Sequence, residues 1–271
     1  MTDTNTDTVE IGSVPDFWEQ VQRAEHLFLG LDYDGTLAPF EVDPMQARPL
    51  PGAADLIRDL AANERTQVAI ISGRPVAEVR ALLNNPPVTI IGSHGFEFCS
   101  AGGECVARQP TAPQARGLLE VRTSLEARDY AHKVEIKVAS VALHTRGMDP
   151  AAAVALEEEL SGEWAVRAPE FGLECRRFNG GVEIRCTGRD KGTALLELLG
   201  LQPENVLPVY VGDDDTDEDA FNVLLGSGIG IKVGDDRWPT AARGFLPDCL
   251  AVVDFLRAWV AHTKTPSTPK R

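Results

Sequence analysis

The chain has 271 residues, 43% hydrophobic and 25% charged, enough apolar mass for a packed core and too much for a disordered chain. With 26 basic against 41 acidic residues the formal charge is -15, which argues against nucleic acid or an anionic membrane surface as a partner. No stretch approaches the roughly 18 apolar residues of a membrane span, and Met1 to Ser13 lacks the basic and apolar regions of a secretory leader, so a cytoplasmic protein is expected.

Residues 1–13 read as a disordered tail, and Asp16 to His26 as a short amphipathic helix with Phe17, Val21 and Ala24 on one side. The stretch that follows, Leu27 to Leu37, reads Leu-Phe-Leu-Gly-Leu-Asp-Tyr-Asp-Gly-Thr-Leu. Its apolar half predicts a strand buried on both faces of a parallel sheet, stopping at Asp32. With Asp34 two residues on and Gly35 turning the backbone away, both acids fall in the crevice where open α/β sheets bind ligands. Such a pair suits a hard divalent cation, which can hold a phosphate. Asp32 would then attack phosphorus, and Asp34 would pass protons to the leaving alcohol and from the attacking water. The same residues also read as a plain strand-ending turn.

Beyond the Pro-rich stretch Pro39 to Pro51, Ala53, Leu56, Ile57 and Leu60 have helical spacing and lead to a second buried run, Val68 to Ile71. It ends at Ser72, which precedes Gly73 and a helix opened by Pro75. Ser72 could bond a phosphate oxygen or simply cap that helix. Arg74 could reach a substrate or solvent. A helix from Val76 to Leu83 returns to a third run, Val88 to Ile91, which ends in Gly92-Ser-His-Gly-Phe-Glu97. There His94 reads as a structural or loop-shaping residue rather than a base. Three strands with polar tips predict a parallel sheet with its site along the carboxyl edge.

From Thr111 to Cys186 the pattern changes. A helix near Gln114 to Ala127 precedes an alternating segment, Val134 to Arg146. A second helix has Asp149 as cap, Pro150 in its first turn and Gly162 past its end. Trp164 to Ala168 and a hairpin from Leu173 to Cys186 around Asn179-Gly180-Gly181 follow. Alternation implies a sheet with one wet face, hence an α+β unit inserted into the first. His144 and Arg146 share one side of their strand, as do Glu183 and Arg185. Lys137 has the opposite parity to His144 and joins it only across a turn or bulge. These groups could bind sugar hydroxyls or form ion pairs on a solvated face. Five cysteines at irregular spacing outline neither a disulfide framework nor a zinc site. If Gly180-Gly181 makes a two-residue turn, Cys175 falls opposite Cys186, with both thiols expected to be reduced.

Lys191-Gly192 opens a helix from Thr193 to Leu199, and a fourth buried run, Val206 to Val211, ends in Gly212-Asp-Asp-Asp-Thr-Asp-Glu-Asp219. These acids repel one another unless a cation or a helix N-terminus offsets them. Asp213, at a strand end like Asp32, is the expected direct magnesium ligand beside Asp32 and a carbonyl near Asp34. Asp214 and Asp217 are expected behind it, fixing waters and Lys191. Gly228 to Val233 reads as the last core strand, and Leu250 to Val260 as a closing helix with Leu250, Val253, Leu256 and Val260 inward. Thr263 to Arg271 is a basic tail.

Taken jointly, Asp32-Tyr-Asp-Gly-Thr-Leu37, Ser72-Gly-Arg74, Lys191-Gly192 and Gly212 to Asp219 resemble the four ordered motifs of haloacid-dehalogenase-like phosphatases. Within that superfamily, Leu31 to Pro39, Gly92 to Glu97, Ser140 to Arg146 with Lys137, and the run ending at Phe221 are similar to the trehalose-6-phosphate phosphatases. The resemblance implies an α/β fold with a Rossmann-like parallel-sheet core (residues 14–108 and 187–262) and an inserted α+β cap (109–186). It implies magnesium as cofactor and hydrolysis of trehalose 6-phosphate to trehalose and phosphate, the last step of trehalose biosynthesis. A monomer acting on a small molecule is expected. Asp32 becomes the nucleophile, Asp34 the acid/base, and Ser72 and Lys191 the phosphate binders. Asp32, Asp34 through its carbonyl, and Asp213 take the metal. Gly35, Thr36, Arg74 and His94 join the substrate site, and Lys137, His144, Arg146 and Glu183 touch the disaccharide. Thr145 stands where the family often has tyrosine, and Cys186 to Asp190 replaces a Pro-containing approach to the lysine. Two alternatives stay open: another sugar phosphate such as sucrose 6-phosphate or mannosyl-3-phosphoglycerate, and a non-catalytic sensor. The latter is expected to have lost the nucleophile, acid or lysine, all present here.

Overall fold

Continuous apolar runs bury both faces of a strand, and the run His26–Leu31 (β1) lies at the middle of the larger of two sheets. The computed structural model describes residue 11 and residues 14–128, 130–178, 180–234 and 239–264. Around β1 the sheet contains β2 (Thr66–Ile71), β3 (Thr89–Gly92), β4 (Glu97–Cys99), β5 (Cys105–Ala107), β10 (Val206–Gly212), β11 (Ile229–Val233) and β12 (Gly244–Leu246), in the order β12-β11-β10-β1-β2-β3-β4-β5. Strands β12 through β3 are parallel, and β4 and β5 turn antiparallel at one edge. Chain order reverses direction across β1, the topological switch point at which such sheets bind ligands.

Alternation along β1 sorts its side chains between two cores. Leu27, Leu29 and Leu31 pack with α1 (Phe17–Arg23), α2 (Ala53–Ala61), α3 (Val76–Leu82) and α8 (Cys249–Thr263), whereas Phe28 packs with α6 (Lys191–Leu199) and α7 (Glu218–Val223). A second sheet, β6 (Val134–Ile136), β7 (Ser140–His144), β9 (Gly181–Cys186) and β8 (Leu173–Phe178), is antiparallel throughout. Helices α4 (Ala112–Ala127) and α5 (Pro150–Arg167) cover one of its faces through Val121, Leu125, Leu156, Leu160 and Trp164. Its other face carries Glu135, Ser140, His144, Glu183 and Arg185. The fold is thus an α/β Rossmann-like core with an inserted α+β cap.

Several expectations need correcting. Helix α5 runs through Gly162 to Arg167, so Trp164 to Ala168 is not a separate segment. A helical glycine costs about 1 kcal/mol, and the complete burial of Trp164 two residues on outweighs it. The hairpin register pairs Phe178 with Gly181, which puts Cys175 opposite Ile184 and Cys186 opposite Leu173, both thiols free. Cys99 and Cys105, by contrast, are cross-strand partners in the β4–β5 hairpin and form a disulfide that the spacing did not announce. Strand β12 extends the sheet past the expected last strand. The inward face of α8 is Val252, Val253, Phe255, Leu256 and Trp259, while Leu250 is exposed. Ile11 is buried against Gly244 and Thr263 belongs to α8, so neither is tail; residues 1–10, 12, 13 and 265–271, read as tail, lie outside the described residues.

Gly117 on α4 leaves no room over the cap sheet: a Cβ there would lie 2.6 Å from Phe171 Cβ and 2.7 Å from Leu173 Cδ1. In Gly117→Ala, helix propensity gains about 1 kcal/mol and overpacking costs about 1–3 kcal/mol. A net fall in melting temperature is expected; a rise would mean that the cap core has slack.

Candidate active site

Asp32 follows the last residue of β1, its amide bonded to Val211 O at 2.9 Å, so its carboxylate stands at the carboxyl edge between β10 and β2. Lys191 reaches it from the first residue of α6, where Asp190 caps the helix and exchanges hydrogen bonds with Thr193. Lys191 Nζ lies 3.0 Å from Asp32 Oδ1, 2.8 Å from Asp217 Oδ1 and 4.0 Å from Asp214 Oδ1. Asp217 accepts all round. Lys191 and the Tyr210 hydroxyl donate to Oδ1, and the amides of Asp213 and Asp214 donate to Oδ2. Asp214 in turn accepts from the Thr216 amide and hydroxyl.

Four carboxylates around one ammonium leave negative charge uncompensated. Burial, then the charge of Asp217, pushes the Asp32 carboxyl well above the ordinary carboxylate range against the pull of Lys191. Burial, then Asp214 and Asp32, does the same to Asp213. Burial also raises Asp217, whereas at Asp214 the pull of Lys191 and Thr216 outweighs burial and lowers it. Asp32, Asp213 and Asp217 each offer an oxygen within 4.8 Å of the others. Because both Asp217 oxygens are already engaged, and Asp213 Oδ1 is buried without a hydrogen-bond partner, Asp213 is the oxygen donor still to be satisfied. A hard cation fits this all-oxygen set. Gly35, at φ 72°, packs directly on Asp213: a Cβ would sit 2.1 Å from Oδ2. Next to it Thr36 is fully buried.

Asp34 is gripped by Arg74, which donates from Nε at 2.6 Å and from Nη2 at 2.7 Å, a bidentate pair. Arg74 also bonds Glu78 at 3.1 Å and lies over the Tyr33 ring. It is therefore not a solvated charge. Ser72 Oγ accepts from the Arg74 amide at 3.2 Å within the turn before α3, whose N-cap is Pro75, so Ser72 does not cap that helix and instead lines the cavity wall.

The cap sheet closes over this edge. Glu183 Oε1 accepts from Lys137 at 3.0 Å and Ser140 at 2.6 Å, and Oε2 lies 2.9 Å from His94 Nε2. Glu135 pairs with His144 at 2.8 Å and with Lys137 at 3.7 Å. Lys137 comes onto the His144 face because a turn intervenes, its amide donating to Ser140 O. Burial would raise Glu183, but Lys137 and His94 hold it well below the usual carboxylate range. Burial dominates at His94 and lowers it below its ordinary value despite Glu183. Neutral His94 then donates from Nε2 and accepts from Arg185 at Nδ1, 3.4 Å away. Arg146 donates to Glu41 O and lies over Phe40, reaching from cap to core.

Asp32, Asp34, Ser72, Arg74, Lys191 and Asp214 from the core and His94, Lys137, His144, Arg146 and Glu183 beneath or within the cap all line one cavity. Gly35, Thr36, Asp213 and Asp217 are not among its lining residues. The cavity holds about 100 Å³, small beside the roughly 300–1,000 Å³ of small-molecule sites. Glu135, Arg176 and Glu78 also line it and were missed. Glu135 shares the period-two face with Lys137, a signal that was available; Arg176 pairs with Glu183 only in the correct hairpin register.

The sheet order and the inserted antiparallel cap match the fold of a phosphatase of the haloalkanoate superfamily from Bacteroides thetaiotaomicron, with TM-score 0.55 at 15% identity over 86% of this chain. The trehalose-phosphatase family model matches residues 30–248, and the chain belongs to that family. A probable trehalose-phosphate phosphatase 3 of Oryza sativa is 33% identical over 270 residues, covering 88% of this chain and 70% of that protein. A bifunctional trehalose-6-phosphate synthase/phosphatase of Thermoproteus tenax is 34% identical over 226 residues, 82% of this chain; the chain spans only 30% of that longer protein. The fold matches the C-terminal domain of C. albicans trehalose-6-phosphate phosphatase with TM-score 0.83 at 24% identity, covering 93% of this chain and 98% of that one. Among the described residues no helix is long and apolar enough to cross a membrane.

A histidine buried neutral must take up a proton when the chain unfolds below its ordinary value of 6.5. The unfolded state then binds more protons, so His94 makes stability fall as pH falls. Urea unfolding between about pH 7.5 and pH 5.5 should show a shallower loss in His94→Asn than in the parent chain. Equal slopes would place a charged imidazole at this site.

Proposed function

We propose that the protein is a magnesium-dependent phosphatase that hydrolyses trehalose 6-phosphate to trehalose and inorganic phosphate. One observation carries the reading: Asp32, Asp34, Ser72 and Lys191 share a cavity with the cap residues Lys137, His144, Arg146 and Glu183. Phosphoryl chemistry and sugar recognition are thereby juxtaposed. The core is taken as residues 14–108 and 187–262 and the cap as 109–186, the cap opening to admit a substrate larger than the cavity.

An Asp32 oxygen attacks phosphorus, the phosphorus–oxygen bond to the sugar breaks, and Asp34 delivers a proton to the leaving oxygen. Water then attacks the aspartyl-phosphate, gives its proton to Asp34 and releases phosphate, regenerating Asp32. Lys191 and Ser72 hold the phosphoryl oxygens. Arg74 turns from Asp34 to the phosphate as substrate enters, which frees Asp34 to carry its proton. Asp32, Asp213 and the Asp34 carbonyl would hold magnesium, which when bound offsets the charge of phosphate and carboxylates, with Asp214 and Asp217 behind them. His94, Lys137, His144, Arg146 and Glu183 bond the disaccharide, with Gly35 and Thr36 shaping the phosphate end.

The deciding experiment is phosphate release from a panel of sugar phosphates with magnesium and with EDTA. Trehalose 6-phosphate should be preferred, EDTA should stop turnover, and Asp32→Asn should abolish it. Preference for another sugar phosphate would overturn the cap assignment alone, and release by folded Asp32→Asn would overturn the covalent mechanism. Independently of turnover, magnesium at about a hundredfold over its Kd should stabilise the fold by about 2.7 kcal/mol. Asp213→Asn should lose that rise in melting temperature; an undiminished rise would move the metal elsewhere.

A further inference from the structure

We propose that Tyr210 is a positioning residue for Lys191, acting through Asp217; the proposal rests on the phosphatase reading above. In the sequence Tyr210 is one residue of a buried run and reads as core. Its ring is indeed fully buried, edge-on to Phe221 at 5.8 Å. Its hydroxyl does something that packing does not require. It donates to Asp217 Oδ1 at 2.6 Å, the oxygen that also accepts from Lys191 Nζ at 2.8 Å, and Ile71 O lies 3.4 Å away.

The pairing strand is shaped around this ring. Tyr210 stands in register with Gly30, the penultimate residue of β1, and a Cβ on Gly30 would approach the ring to 2.7 Å. A glycine inside an otherwise Leu-rich buried strand marks such a close approach. The ring is thus fixed from one side and the hydroxyl aimed from the other.

Lys191 divides its ammonium between Asp217 and Asp32, at 2.8 and 3.0 Å. An oxygen that already accepts from a hydroxyl pulls less on a second donor. With the amides of Asp213 and Asp214 on Oδ2, the hydroxyl also fixes the rotation of the carboxylate. Without it, Oδ1 turns wholly to Lys191 and draws the ammonium from Asp32 and from a phosphoryl oxygen beside it.

Tyr210→Phe keeps the ring and removes only the hydroxyl. On the best substrate of the panel kcat should fall about 10–100-fold, with KM rising by no more than phosphate affinity falls because the cap contacts are untouched. Gly30→Ala, which keeps the hydroxyl but displaces the ring, should lower kcat likewise. A packing role alone predicts parental kcat in Tyr210→Phe, and that result would overturn the proposal. Calorimetric binding of inorganic phosphate to the magnesium-loaded protein needs no turnover, and Tyr210→Phe should weaken it about tenfold. If the parent chain hydrolyses no sugar phosphate, the substrate reading fails and phosphate affinity decides: equal values in both forms overturn the role of Tyr210.

Discussion

A single buried ammonium, Lys191, stands against four crowded carboxylates, and much of the core is arranged so that it can. Asp32 and Asp213 come from the ends of adjacent parallel strands, Asp214 and Asp217 from the turn after β10, and the lysine from a helix start capped by Asp190. Lys191 lies within 4.0 Å of Asp32, Asp214 and Asp217, one positive charge shared among three negative ones, and the buried Oδ1 of Asp213 has no hydrogen-bond partner. Burial without compensation disfavours the ionised forms, as the upward shifts of Asp32, Asp213 and Asp217 record. The folded site therefore carries an excess of negative charge that a bound cation would offset.

The cap meets the same constraint with a different solution. Its polar face alternates carboxylates with hydrogen-bonding nitrogens, His144 with Glu135, Glu135 with Lys137, Lys137 with Glu183 and Glu183 with His94, so its buried carboxylates find partners on the next strand or in the core. Because His94 belongs to the loop after β3 and Glu183 to β9, this chain of pairs also joins the two sheets.

The parts legible in the sequence were those written in a local pattern. Four apolar runs ending in polar residues located β1, β2, β3 and β10, and with them Asp32, Ser72, His94 and Asp213, since a strand end is visible where hydrophobicity stops. Lys191 was legible as a helix start. Long-range choices were not. The Arg74–Asp34 pair links residues 40 apart, and nothing local distinguishes it from a solvated arginine. Of the three adjacent turn formers in the sequence, Asn-Gly-Gly, pattern alone could not select the register, and a shift there misplaced Cys175 and hid Arg176. The roles of Asp213 and Asp217, neighbours in one acidic run, separate only when their hydrogen-bond partners are counted.

The paired state of the cavity has a consequence for selectivity. Lys137, His144, Glu183, Glu135 and Arg74 all point inward, yet each is bonded to another protein group. A ligand that enters does not fill vacant positions; it exchanges with bonds already made. Its net affinity is the difference between two sets of contacts, and a molecule with few hydroxyls would break pairs that it could not replace. A small ligand is disfavoured by this exchange even though it fits more easily, and one able to substitute at both the core and the cap ends is favoured. Discrimination then comes from the strength of what must be given up, not from the shape of the opening.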